Sequence, residues 1–133
     1  MHSRMTVMKK SKTTSKIFKE HYYKRQCSQL IKKDYLTPED CWNIKVDTAK
    51  FLVPRLKLFL KTIDHCGATP GILAQQYPDD GYERWVEIIN KMLFAFEYYS
   101  ELYERRCNTN DEEQSKIQEG LMLFAEYYGY LWV

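Results

Sequence analysis

Cys27, Cys41, Cys66 and Cys107 are the nucleophiles and soft metal ligands of this sequence, and their spacing argues against both chemistries. They stand 14, 25 and 41 residues apart, without the paired Cys-x-x-Cys spacing of a zinc knuckle. His65 directly precedes Cys66. Chain neighbours rarely point at each other, and no third group is in place to orient a dyad. There is no Glu-x-x-His pair for a di-iron bundle. Nor does a glycine-rich loop lead into a helix with Lys and Ser or Thr, as phosphate binding would need. Glu83 and Glu87, like Glu97 and Glu101, sit one helical turn apart. Solvated helix faces share that spacing with acid–base sites. The sequence therefore predicts no enzyme, no metal and no cofactor, and its four free thiols suit a reducing cytoplasm.

Binding chemistry is better represented. Asp47, Phe51, Arg55 and Leu58 recur at helical spacing and share one face. Asp47 and Arg55 are two turns apart, too far for one direct pair, so each needs a partner elsewhere or a ligand. An Arg beside aromatic rings suits an anion or a nucleotide; a salt bridge to another helix satisfies the same residues. The expected ligand set is Trp42, Asn43, Asp47, Arg55, Trp85 and Trp132. In it Arg55 neutralises an anion, the Trp rings stack, and Asp47 and Asn43 exchange hydrogen bonds. A second set interleaves aromatics with cations: Lys16, Lys19, Tyr22, Tyr23, Lys24 and Arg25. That pattern suits single-stranded nucleic acid, and equally a helix that docks its rings on the body.

These residues must be carried by helices. The chain has 133 residues, 44% apolar and 29% charged, enough for one domain with a real core. No apolar run, Met92 to Phe96 included, exceeds five residues, against the roughly 20 of a membrane span. Residues 1–33 carry ten Lys and Arg against Glu20 alone, a net of +9; residues 34–133 carry a net of −7. A basic arm beside an acidic body suits nucleic-acid contact, or an arm lying on its own body.

Residues 1–15 read as a disordered basic leader, and 16–133 as a single helical domain. Ser15 can cap an amphipathic helix from about Lys16 to Lys32. Thr37-Pro38-Glu39-Asp40 reads as a helix start, with helical periodicity to about Ile63 and either a kink or a junction at Pro54. Gly67 to Gly81 reads as a loop in which Ile72, Leu73 and Tyr77 pin a short turn. Glu83 to Arg106 and Asp111 to Tyr130 read as helices joined by a turn at Cys107 to Asn110. Their core stripes are Trp85, Ile88, Ile89, Met92, Phe96, Tyr99 and Tyr103, and Ile117, Leu121, Phe124, Tyr128 and Leu131. Gly120 near the second stripe predicts a close helix approach. The middle stripe is Ala49, Leu52, Val53, Leu56, Leu60 and Ile63. No stretch alternates with period two, so the fold class expected is all-α. It is a small bundle of about four helices, with a Pro-kinked middle helix and a basic N-terminal arm. Apolar residues off the stripes, such as Phe51, Leu58, Phe94 and Tyr130, predict a homo-oligomer or a partner, unless the rest of the chain covers them.

The run Asp40-Cys41-Trp42-Asn43-Ile44, then Asp47-Thr48-Ala49-Lys50-Phe51 and Pro54-Arg55-Leu56-Lys57-Leu58-Phe59, has a counterpart elsewhere. So do Trp85, Lys91-Met92, Phe94-Ala95-Phe96, Glu119-Gly120-Leu121-Met122-Leu123-Phe124, Tyr127, Tyr128, Leu131 and Trp132. Over roughly residues 40–133 the chain resembles a family of small helical proteins encoded by tailed bacteriophages. The resemblance brings no reaction with it. It implies an accessory protein in the host bacterial cytoplasm. Such a protein binds and neutralises a host protein, or sequesters a small anionic signalling ligand such as a nucleotide. The alternative is nucleic-acid binding through the basic arm.

Overall fold

The computed structural model describes residues 14–101 and 110–133, and every regular element among them is helical. The chain divides into two compact units, Met1–Trp42 and Asn43–Val133.

The first unit carries α1, Thr14–Asp34, and a 3-10 turn, Pro38–Cys41. Helix α1 begins before Ser15, which therefore lies in its first turn rather than capping it. Tyr35 leaves the helix in the left-handed region at φ 56°. Thr37 and Asp40 then form a capping box at the helix start read from this run: the Asp40 carboxylate accepts from the Thr37 backbone N–H at 2.6 Å. They open only the 3-10 turn. Asn43, at φ −143° and ψ 55°, breaks the helical run, and the long helix starts after it.

The second unit holds the core. Its helices are α2 (Ile44–Cys66), α3 (Gly71–Gln76), α4 (Gly81–Ser100) and α5 (Asp111–Tyr127), followed by a 3-10 turn at Tyr128–Tyr130. Helix α2 continues unbroken through Pro54, which resolves the choice between one helix and two. The ring sits on the exposed side, where the Lys50 carbonyl it leaves without a donor can meet water. Gly67 ends α2 at φ 68°, its N–H bonded to the Ile63 carbonyl. The segment expected to be a loop contains α3, which buries Leu73; Ile72 stays exposed.

Helix α4 lies between the others, packed on α2, α3 and α5. Trp85, Ile89, Met92 and Phe96 are buried as their spacing predicts. Leu93 and Ala95 on either side are buried too, so the buried arc is broad. This is what a helix covered on several sides requires. From α2 the core takes Ala49, Leu56 and Ile63, and α5 adds Ile117. Tyr128, expected in the α5 stripe, is exposed, because the helix has already tightened into the 3-10 turn there. Gly120 makes the close approach that its position suggests. A Cβ there would stand against the Lys91 carbonyl oxygen at a separation no real Cβ adopts, and 2.8 Å from the Ala95 Cβ. Asn110 caps α5, its side-chain oxygen accepting from the Glu113 N–H at 2.8 Å. The leader before Thr14, Tyr103, Arg105-Arg106 and Cys107 to Thr109 lie outside the described residues.

Candidate binding cleft

The aromatic cleft of the second unit is built where α2 ends and the chain returns after α5. Gly67 turns the backbone out of α2, and Ala68-Thr69-Pro70 lead into α3. The 3-10 turn after α5 brings the last residues alongside. Between them lies a cavity of about 460 Å³, lined chiefly by Phe59, Ile63, Cys66, Trp85, Tyr130 and Trp132. The volume falls in the range of small-molecule sites. No charged side chain belongs to its lining among the described residues.

Its aromatic floor is ordered by ring contacts. Trp85 is 1% exposed and meets Phe59 edge-on at 6.2 Å between centroids. Tyr127 tilts against Trp85 at 5.8 Å and continues to Tyr130 at 6.1 Å. Such pairs hold rings in fixed orientations, since edge-to-face geometry is favoured over sandwich stacking. Burial, then the charge of Glu126, pushes the Tyr127 phenol above its ordinary 10.0. At the rim Trp132 is 74% exposed, an indole held against water beside an apolar cavity.

The six ligand residues expected from sequence are not gathered into one site. Trp85 and Trp132 share the cleft. Asn43 is the residue before α2, Asp47 is in the first turn of α2, and Arg55 is two turns further on; none of the three lines the cleft. Arg55 lies over its own Phe51 ring at 3.7 Å and donates to the Phe51 carbonyl at 2.9 Å. Trp42 ends the first unit and is exposed. Phe59, Cys66 and Tyr130 line the cleft but stand outside the ligand set expected from sequence. The sequence signals near them are the density of aromatics after Phe124, for Tyr130, and the glycine that ends α2, for Cys66.

The second expected set lies wholly on α1, and all six side chains are exposed. Lys16, Lys19 and Tyr23 fall on one side at 100° per residue, while Arg25 projects from the other. Gln26 donates to the Tyr22 hydroxyl at 3.1 Å. The Tyr23 phenol is raised above 10.0, chiefly by its hydrogen bond with Cys27.

No three His, Cys, Asp or Glu side chains gather to hold a metal ion among the described residues. None of their helices is long and apolar enough to cross a membrane. No protein-family model, no curated protein and no solved structure matches the chain.

Proposed function

We propose that this chain is a non-enzymatic binding protein that sequesters a small ligand by enclosing its uncharged ring in the aromatic cleft. The observation that carries this reading is Trp132, 74% exposed at the rim of an apolar cavity floored by Trp85. An indole in that position recovers apolar burial only when something flat covers it. A nucleobase fits that description, with any phosphate left in solvent because the cleft offers no cation. The phage resemblance supplies the setting: an accessory protein in a bacterial cytoplasm that withholds a signalling ligand from its host.

Titration of the full chain with N-phenyl-1-naphthylamine, a neutral ring probe, tests the reading. A saturable fluorescence gain is expected, about tenfold weaker in Trp132→Ala and unchanged in Arg55→Ala. Absence of saturation, or equal binding by Trp132→Ala, overturns it.

A second reading, nucleic-acid binding, is favoured by one observation: α1 exposes Phe18, Tyr22 and Tyr23 among its cations. That reading requires binding to fall steeply with added salt.

A further inference from the structure

The outer face of α2 carries a stripe that is its own complement. Ile44, Asp47, Phe51, Arg55 and Leu58 are all exposed, the three apolar members at 60%, 55% and 66%. At 100° per residue they fall within about 40° of the Phe51 direction. Their spacing is symmetric about Phe51: four residues either way reaches Asp47 and Arg55, and seven either way reaches Ile44 and Leu58. The symmetric positions match in kind, an acid against a base and an aliphatic against an aliphatic.

We propose that this stripe is a two-fold interface with a second copy of the chain, the two α2 helices running antiparallel and crossing at Phe51. A two-fold contact must be self-complementary, and this order of residues meets the condition. Phe51 meets the second copy's Phe51, Ile44 meets its Leu58, and Asp47 meets its Arg55, the last two pairs each formed twice. The apolar span from Ile44 to Leu58 is about 21 Å along the helix. Within one copy Asp47 and Arg55 stand about 12 Å apart along the axis and cannot pair with each other. The pairing exchanges the present seat of the Arg55 guanidinium, on its own Phe51 ring, for a carboxylate across the seam. The interface is independent of the aromatic cleft, whose lining includes none of these five residues.

Sedimentation velocity on the full chain reads the proposal, with far-UV circular dichroism as the check on folding. Wild type is expected to form a dimer, and Leu58→Asp to be a folded monomer. Asp47→Arg sets Arg against Arg twice, and Arg55→Asp sets Asp against Asp twice. Each is expected to weaken the dimer about tenfold. The double variant Asp47→Arg/Arg55→Asp restores opposite charges only in the antiparallel register, so recovery of the dimer supports it. A wild-type monomer at every concentration overturns the proposal. So does an oligomer that survives Leu58→Asp, or a double variant no better than the single ones.

Discussion

Gly120 shows how a single missing side chain sets the distance between two helices. Its Cα faces the Lys91 carbonyl and the Ala95 methyl of α4, so α5 packs with backbone nearly against backbone. An alanine in mid-helix ordinarily stabilises by up to about 1 kcal/mol relative to glycine. Here the added Cβ has no room, and overpacking of this kind costs about 1–3 kcal/mol. Because backbone must move as well as a side chain, the clash outweighs the propensity gain. Gly120→Ala should therefore lower the urea midpoint, with a net loss of about 1–2 kcal/mol. Gly71→Ala is the control: nothing lies within 4 Å of its Cβ position, so it should be neutral or slightly stabilising. Equal midpoints for wild type and Gly120→Ala would mean that α5 can slide outward without loss.

At the scale of elements, α4 and α5 are joined above Gly120 by Lys91, which donates to Glu119 at 2.8 Å and lies 3.5 Å from Glu87. The hydrogen bond to Glu119 leads in holding Lys91 above its ordinary 10.5, against partial burial, with the two carboxylate charges adding to it. A pKa raised on folding means the folded state keeps its proton longer. The stabilisation is complete below 10.5 and drains away as pH rises through the raised value. Tyr82, raised by burial and then by Asp64, and Tyr127 act in the same direction from 10.0. Stability should thus fall above pH 10.0, the fall being shallower in Lys91→Met. Urea unfolding across that alkaline range checks it, and identical slopes for the two proteins would remove the Lys91 contribution.

The same pair of helices shows what was legible beforehand. Trp85, Ile89, Met92 and Phe96 repeat at helical spacing without interruption, so the buried face of α4 could be read directly. Helix α3 was legible only as a short turn pinned by Leu73, because Pro70 and Gly71 signal a loop and a helix of six residues is too short to show periodicity. The cleft was hidden for a different reason. Trp85 and Trp132 could each be picked out as a stacking residue. Their meeting depends on the left-handed turn at Gly67 and the 3-10 turn after Tyr127, and neither leaves a pattern of spacing.

For the whole molecule, the decisive fact is where apolar surface is buried. Every buried apolar residue among those described, from Val46 to Ile117, belongs to Asn43–Val133. Among the described residues helix α1 contributes none, and of them only Cys27 and Ile31 on it are as much as half-buried. Hydrophobic burial is the dominant favourable term in folding, so the second unit should hold its own stability. A chain comprising residues 43–133 is expected to keep the full cooperative transition and to melt within a few degrees of the intact protein. Loss of that transition would mean that the first unit supplies packing the core depends on. The truncation also separates charge from fold. It removes a basic stretch of net +6 and leaves an acidic chain of net −4. If the chain binds nucleic acid, affinity and its salt dependence should vanish together in the 43–133 protein, because both come from the same cations meeting phosphates. Binding of the neutral ring probe should survive the truncation unchanged, since Trp85, Tyr130 and Trp132 all remain. A salt-insensitive ligand affinity lost with residues 1–42 would place the binding surface on the first unit and displace the cleft from its role.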